Sequence, residues 1–201
     1  ISIHDSALSP RGMEVYGLLG FDEYLVHDRG LFSCLTCYAC RLKCPADVDF
    51  PLLMQKTRAL AADAGEHGDC AHSGTIQAVM RLMSTPGINQ KRLEWLSNQY
   101  RISQRGGVLF FVGCAPYFEP FFEDISVNAL QPAKGSLKIL NSLGIEPVLL
   151  EDEKCCGHDL LWTGDTRGFE RLAEHNAAII KKAGVKKIVF SCAECYRTFK
   201  E

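Results

Sequence analysis

Four cysteines are packed into one short run in the first quarter of the chain, and a proline follows the last of them. Their spacing is C-x2-C-x2-C-x3-C-P, with which bacterial iron–sulfur proteins hold four-iron clusters. Thiolates are soft ligands that select iron–sulfur clusters, zinc or copper(I) over harder ions, and the proline prevents the loop from continuing freely as helix. The run therefore predicts a cubane 4Fe-4S cluster, and its candidate cluster ligands are Cys34, Cys37, Cys40 and Cys44.

Two alternatives stay open for this run. Zinc is the main one, because C-x2-C also opens zinc sites, although a zinc site usually pairs two such dyads across a longer spacer. The second concerns Cys44, since in two-cluster proteins the fourth cysteine of such a run ligates the other cluster. Either Cys44 closes the same cluster as the first three cysteines, or an upstream cysteine motif precedes Ile1 in a longer polypeptide, and we expect the second.

A further group of cysteines lies in the second half of the chain, where each follows a predicted strand. The apolar run 108–112 and the segments 146–150 and 187–190 have the composition of strands in a parallel sheet. Ligands of open parallel sheets bind beyond the carboxyl ends of the strands. The thiols should therefore meet at one edge of the sheet, and they belong to Cys114, Cys155, Cys156, Cys192 and Cys195.

Few structural roles account for five thiols at one place. A disulfide network would leave one cysteine over, and the neighbours Cys155 and Cys156 are poorly placed to bridge each other. A four-thiolate zinc site would also leave one thiol over. We therefore expect a second iron–sulfur cluster of unusual coordination, with zinc as the competing interpretation.

The elements that must position these cysteines differ between the two halves of the chain. Residues 1–100 read as helical, with helices that open at Pro10 and Pro51 and less regular helical segments at 75–82 and 90–96. In the helix after Pro51, one face carries Leu53, Thr57, Leu60 and Ala64. From residue 106 strands alternate with helices at 133–143 and from 165 or 166 to 183, which predicts a parallel α/β unit.

Composition excludes several classes of function. The 201 residues are 47% hydrophobic and carry a formal net charge of −2, with no basic stripe of the kind that binds nucleic acid. No apolar stretch approaches the ~20 residues of a transmembrane helix. Ten cysteines, mostly in C-x2-C-type clusters, indicate metal binding in a reducing compartment. The tenth, Cys70, lies near His67 and His72 at a loose spacing for a metal triad, and we expect a free thiol in a loop instead.

The combined pattern resembles a known family. Cys114, then Cys155-Cys156-Gly157, then Cys192-x2-Cys195 is similar to the cysteine-rich CCG domain of heterodisulfide reductase and its relatives. The segment from Ser9 through the first cysteine run to Trp95 resembles the second half of the helical two-cluster ferredoxin domain of that family. The resemblance implies an α + α/β chain, with a helical ferredoxin-like domain at 1–104 that lacks its first cysteine motif, and a CCG domain at 105–201, the first of two and truncated.

The resemblance also implies cofactors and roles. A CCG domain of this family can hold a noncubane 4Fe-4S cluster through all five of its cysteines, beside the cubane cluster of the ferredoxin-like part. Cys155 and Cys156 would face the substrate. Position alone suggests two further roles. His158 follows Cys155-Cys156-Gly157 directly, and it either donates a hydrogen bond to a cluster sulfur or is a loop histidine bonded to backbone. Glu194 lies between the last two cysteines, and it either gives a proton to a product thiol or is a plain exposed carboxylate.

Two functions follow from the resemblance. The first is an oxidoreductase subunit of heterodisulfide reductase type, which passes electrons from the cubane cluster to the noncubane cluster, where a disulfide or similar substrate is reduced. The alternative is an electron-relay subunit of a flavin dehydrogenase that delivers electrons to quinone or another carrier. Both imply redox partner subunits, either a flavoprotein or another iron–sulfur protein, and a cytoplasmic location with attachment to a membrane complex through partners.

Overall fold

The computed structural model describes residues 9–28, 30–69, 72–88 and 91–200. Within these ranges the chain forms ten α-helices, one 3₁₀ turn and two β-strands. In chain order they are α1 (Pro10–Leu18), α2 (Asp22–Val26), α3 (Ala39–Lys43), α4 (Phe50–Asp63), α5 (Thr75–Ser84), β1 (Val108–Phe111), α6 (Ala115–Phe121), the 3₁₀ turn (Glu123–Ile125), α7 (Gln131–Ser142), α8 (His158–Thr163), α9 (Thr166–Ala183), β2 (Lys187–Phe190) and α10 (Ala193–Lys200).

The described residues divide into two compact units. The N-terminal unit takes the residues up to Thr75 together with the segment Asp159–Thr166. The C-terminal unit takes the remainder, Ile76–His158 and the residues from Arg167 onward. The predicted domain boundary between residues 104 and 105 stays a prediction.

The N-terminal unit contains only helices and loops within its described residues, and caps explain where two of its helices begin. The Ser9 hydroxyl accepts from the Gly12 amide at 3.2 Å, and Asp49 Oδ1 accepts from the Leu52 amide at 3.1 Å. Each cap satisfies an amide that has no partner within its helix. Helices predicted to open at Pro10 and Pro51 are confirmed, the latter one residue earlier. The buried core consists of Met13, Leu25, Leu31, Phe50, Met54 and Ala61.

The C-terminal unit contains a two-stranded parallel sheet. β1 pairs with β2 from Val108 opposite Lys187 to Phe111 opposite Phe190. The predicted strand at 146–150 is wrong, because only Val148 forms isolated parallel bridges, to Leu109 and Ser103. Pro147 has no N–H to donate, so regular pairing cannot continue through it. The mixed α and α/β class is confirmed, while the ferredoxin-like identity of the helical part stays a prediction.

The core of the C-terminal unit lies between β1, α7 and the loop before β1. Its buried members are Tyr100, Phe110, Val112, Leu130, Ala133, Leu137, Leu140 and Leu149. The helix predicted at 90–96 is wrong over its described part. Residues 91–96 form hydrogen-bonded turns instead, with the Glu94 amide bonded to Lys91 O and the Leu96 amide to Leu93 O. Among the described helices, none is both long and apolar enough to cross a bilayer.

Two candidate metal centres built from cysteines

The N-terminal cysteine site comprises Cys34, Cys37, Cys40 and Cys44. Its loop turns sharply, because Thr36 and Tyr38 both have left-handed backbone, with φ values of 48° and 63°. The Thr36 amide donates to Cys34 Sγ at 3.4 Å. Tyr38 directly precedes α3, which carries Cys40 and is followed by Cys44. The loop therefore places an amide donor on a thiol, as iron–sulfur sites commonly do.

Burial and charge distinguish the thiols of this site. Cys34, Cys40 and Cys44 are half-buried and Cys37 is exposed. Burial raises the pKa of the Cys40 thiol, and the charges of Cys34 and Cys37 raise it further against the lowering effect of the Arg41 amide. Cys34, Cys37 and Cys40 are thus close enough to interact. Cys44 directly follows the last residue of α3, and its amide donates to Arg41 O at 3.1 Å.

An arginine that the sequence did not single out supports the same loop. The Arg58 guanidinium donates to Leu31 O at 3.0 and 2.8 Å and to Cys34 O at 2.7 Å. It also donates to Trp162 O at 2.9 Å. A buried cation next to thiols is what an anionic cluster requires for charge compensation, so the donor set and its surroundings fit an iron–sulfur cluster.

The C-terminal cysteine site comprises Cys114, Cys155, Cys156, Cys192 and Cys195. Side-chain hydrogen bonds join these thiols in one continuous chain, from Cys114 to Cys155, then to Cys156, to Cys195 and finally to Cys192. Residues separated by up to 81 positions along the sequence thus meet at one place, 195 against 114. Cys114 follows β1, and Cys192 and Cys195 follow β2 and enter α10.

This chain of thiols has one strongly acidic member. Hydrogen bonds from Cys155 and Cys195 lower the pKa of Cys156 to about 3. The pKa of Cys192 is lowered to about 7, chiefly by a hydrogen bond from Cys195. The pKa values of the donors Cys155 and Cys195 are raised, because each thiol would lose its hydrogen bond to a neighbouring sulfur if it ionised. Thiolates are the form that binds metals, so Cys156 is prepared as a ligand.

Two glycines beside the C-terminal cysteine site occupy positions where a side chain would clash with its neighbours. Gly113 has a φ of 68°, and a Cβ there would lie 3.1 Å from Cys195 Sγ. Gly157 has a φ of 80°, and a Cβ there would lie 2.9 Å from Phe169 Cδ2. Both positions require glycine for backbone conformation and for close approach. The glycine of the Cys155-Cys156-Gly157 motif therefore lets the turn pack against α9.

A buried ion pair ties two of the cysteine segments together. Glu153 Oε1 accepts from the amides of Val112 at 3.0 Å and Gly113 at 2.7 Å, directly before Cys114. Arg92 Nη2 donates to the same oxygen and to Gly113 O, each at 2.8 Å. Burial nevertheless raises the pKa of Glu153 to about 7, against the lowering effect of Arg92 and the two amides. The pair fixes the end of β1 relative to the segment that leads into Cys155.

A second polar anchor comes from α9. Asn176 is buried, and its side chain accepts from the Lys154 amide at 2.9 Å and donates to Lys154 O at 3.2 Å and Cys155 O at 3.0 Å. Its side chain thus satisfies three backbone groups around the cysteine pair. Sequence reasoning missed Arg58, Arg92, Glu153 and Asn176. For Asn176 a signal existed, since a polar residue occupies an otherwise apolar helical stripe.

The two non-cysteine residues predicted to act at this site are placed as follows. His158 Nδ1 lies 3.0 Å from Thr198 Oγ1, and the His158 backbone amide donates a hydrogen bond to Cys156. Glu194 is exposed in the first turn of α10, where its amide bonds to Cys192 and its charge raises the pKa of that thiol. Their predicted roles stay predictions.

The donor atoms of the two sites fit a cluster by their chemistry. Across the described ranges, no group of three or more His, Cys, Asp or Glu side chains is arranged to hold a single metal ion. The soft donor set, the acidic Cys156 thiol and the amide donors nevertheless have the chemistry that an iron–sulfur cluster requires. Cys70 lies outside the described residues.

Comparison with known proteins identifies the C-terminal half. Residues 108–200 match the family model of the CCG cysteine-rich domain. The chain contains a CCG domain. All five cysteines of the C-terminal site lie within the matched residues. No solved structure matches the chain significantly.

Relatives match both the CCG domain and the residues before it. The D subunit of the dihydromethanophenazine:CoB–CoM heterodisulfide reductase of Methanosarcina barkeri is 29% identical over 175 residues, which cover 84% of this chain and 40% of the relative. An uncharacterised iron–sulfur protein of Methanococcus maripaludis is 27% identical over 86% of this chain and 34% of its own length. The B subunit of the fumarate reductase (CoM/CoB) of Methanothermobacter marburgensis is 26% identical, over 87% of this chain and 33% of its own length.

The chain is homologous to the D subunit of heterodisulfide reductase and to related iron–sulfur proteins, which supports an iron–sulfur electron-transfer role. It spans about two fifths of the length of the heterodisulfide reductase relatives that it matches. The CCG match and the homology to iron–sulfur proteins imply that the chain binds iron–sulfur clusters.

Proposed function

We propose that the chain is an iron–sulfur oxidoreductase subunit of heterodisulfide reductase type. Electrons from a redox partner, a flavoprotein or another iron–sulfur protein, enter at the N-terminal cysteine site and pass to the C-terminal cysteine site. There a disulfide or similar substrate is reduced. The observation that carries the proposal is the continuous chain of five thiols within the CCG domain.

The reaction proposed for a disulfide balances with two electrons. The sulfur–sulfur bond breaks, each sulfur takes one electron and one proton, and two thiols leave. When bound, a cubane cluster at the N-terminal site and a noncubane cluster at the C-terminal site supply centres that accept and donate single electrons. The protons must come from solvent or from groups of the chain, and Glu194 is the exposed carboxylate beside Cys192.

The residues of this chain have three tasks in the proposal. The cysteines bind iron, and hydrogen bonds from Cys155 and Cys195 favour the thiolate of Cys156, the form that ligates metals. Arg92 and Glu153 hold Cys114 relative to the cysteine pair through the backbone of Gly113. The His158 amide donates to Cys156, and such bonds to sulfur raise reduction potentials.

The burial of the Cys155 and Cys156 side chains favours a second candidate function. Cys155 is fully buried and Cys156 only 5% exposed. A site that merely relays electrons benefits from such burial, whereas a substrate must reach a site that reduces it. The second candidate is therefore an electron-relay subunit of a flavin dehydrogenase that passes electrons to quinone or another carrier. For both candidates we place the protein in the cytoplasm, where partner subunits attach it to a membrane complex.

An anaerobic assay tests the proposal. The chain would be purified without oxygen, reduced with methyl viologen radical and mixed with the heterodisulfide of coenzyme M and coenzyme B. The first function predicts viologen oxidation with release of two thiols per two viologens, lost in Cys156→Ser and kept in Cys70→Ser. Reduced clusters that give no thiol with the heterodisulfide, but are reoxidised by a quinone analogue, would contradict the first function and support the relay.

A further inference from the structure

Arg58 is a buried cation of the N-terminal unit whose guanidinium is surrounded by backbone carbonyls. It projects from α4, is only 5% exposed, and its guanidinium lies 5.5 Å from the centre of the Phe32 ring. Burial lowers the pKa of Arg58, and the charge of Cys34 raises it. The hydrogen-bond partners described for the guanidinium are all backbone carbonyls, which offset desolvation without cancelling the positive charge.

The same side chain joins two stretches of sequence that are far apart. Nη2 donates to Leu31 O and Cys34 O in the cysteine loop, while Nη1 donates to Trp162 O in α8. Arg58 and Trp162 are 104 positions apart, and both belong to the N-terminal unit. Only a planar, branched cation can donate to these carbonyls in several directions at once.

The backbone of Arg58 provides independent support for this packing. A Cβ on Gly164 would lie 2.2 Å from Arg58 O, and Gly164 has a φ of 96°. The segment Asp159–Thr166 therefore contacts both the side chain and the main chain of one turn of α4. In sequence this segment begins two residues after Gly157 of the CCG motif.

We propose that Arg58 is a positioning residue with two tasks. Its fixed positive charge raises the reduction potential of the cluster at the N-terminal cysteine site, and its hydrogen bonds hold the segment Asp159–Thr166 in the N-terminal unit. The first task rests on the proposed function, because it requires a cluster bound by Cys34. The second task rests only on the contacts within the chain.

The charge and the hydrogen bonds can be separated by substitution. Reduction makes a cluster more negative, so a nearby cation favours the reduced form and its loss lowers the potential. Lysine keeps the charge but presents a compact ammonium that cannot span Leu31, Cys34 and Trp162. Glutamine removes the charge and keeps a short polar group. The exposed Arg101, which donates to Asn141 O, provides matched controls as Arg101→Lys and Arg101→Gln.

The experiment uses the full chain purified anaerobically, with and without iron. Redox titration followed by electron paramagnetic resonance gives the potential of the N-terminal site, and hydrogen–deuterium exchange gives the protection of residues 159–166. We expect Arg58→Gln to lower the potential and Arg58→Lys to leave it near that of wild type. Both variants should raise exchange in 159–166 about tenfold or more, the usual consequence of losing buried bonds to a charged group.

Each outcome decides one of the two tasks. If Arg58→Gln leaves the potential at the value of Arg101→Gln, the charge task is overturned. If both Arg58 variants exchange in 159–166 as the Arg101 variants do, the positioning task is overturned. Exchange is also measured without iron, so it decides the positioning task even if the wild-type chain binds no cluster at Cys34. That last result would count against the proposed function and the charge task together.

Discussion

Glu153 Oε1 and Arg92 Nη2 lie 2.8 Å apart, and their side chains are 1% and 2% exposed. The carboxylate oxygen also accepts two amides from the end of β1, so the pair holds Val112 and Gly113 next to the segment that leads to Cys155. A buried pair of this kind need not stabilise a fold relative to apolar residues, but breaking it leaves an uncompensated charge. We therefore regard the pair as the element that fixes the geometry of the C-terminal cysteine site.

Removal of one partner tests this relationship. Arg92→Met removes the cation beside Glu153, so the buried carboxyl either stays charged without a partner or takes up a proton and stops accepting its hydrogen bonds as a carboxylate. Breaking a buried pair in this way typically costs about 3–5 kcal/mol. We expect a fall in the thermal midpoint of about 10 °C and loss of the paramagnetic signal of the C-terminal site, measured by circular dichroism and resonance spectroscopy. The double variant Arg92→Met with Glu153→Gln should recover part of the midpoint.

The control for this pair is an exposed one. Arg101 lies 3.8 Å from Glu146 at the surface, where such pairs contribute about 0–1 kcal/mol. Arg101→Met should therefore change neither the signal nor the midpoint by more than a few degrees. An Arg92→Met protein that keeps a wild-type signal from the C-terminal site would show that the ion pair does not position the cysteines.

The glycine of the CCG motif gives a second prediction. Gly157→Ala combines a strained φ with a contact of 2.9 Å to Phe169, whereas Gly184→Ala has a φ of 67° and no atom within 4 Å of the new Cβ. Backbone strain should lower the thermal midpoint in both variants, and only Gly157→Ala should also reduce the iron content of the C-terminal site. Equal iron content in the two variants would mean that the turn tolerates a Cβ at position 157.

Asn176 gives a third prediction. Asn176→Leu keeps a similar volume but removes three hydrogen bonds to the backbone of Lys154 and Cys155, and leaves those groups unsatisfied. We expect a loss of stability of about 2–3 kcal/mol, together with a lower yield of the C-terminal cluster. Hydrogen–deuterium exchange of peptides that contain Cys155 and Cys156 would report the loosened backbone.

Asn141 is the matched control for that variant. Its side chain also bonds to backbone groups, namely the amide and carbonyl of Arg101 and the carbonyl of Ile145, but it lies at the end of α7. Asn141→Leu should lower stability without affecting the cluster signal. If the two asparagine variants lose the signal equally, the effect of Asn176 is one of general stability.

Sequence patterns correctly predicted the elements whose signals lie within the element itself or at its ends. β2 matches the predicted segment 187–190, and α9 runs from Thr166 to Ala183 before Gly184. Sequence patterns were insufficient where strand pairing or tertiary packing decides the structure. Pro147 interrupts pairing at 146–150. Burial on α4 does not follow the apolar pattern alone, since Leu60 is 55% exposed while the charged Arg58 is buried. Carbonyls distant in sequence satisfy the Arg58 guanidinium.

The two cysteine sites likewise combine residues that the sequence predicted with residues that it did not. Spacing and strand ends predicted which cysteines belong to each group, because cysteine chemistry is visible in sequence. The polar residues that hold them were not predictable in this way. Glu153 and Arg92 are 61 positions apart, and their partners are backbone amides and carbonyls that every residue possesses. Only the folded chain shows that these groups meet.

We propose that this chain binds an iron–sulfur cluster at each of its two cysteine sites. The proposal is tested by the content of iron, zinc and acid-labile sulfide per chain, measured on protein purified without oxygen. We predict about eight irons and eight sulfides with negligible zinc, and a loss of about four irons in Cys156→Ser but none in Cys70→Ser. A colourless protein that contains zinc in place of iron would contradict the account.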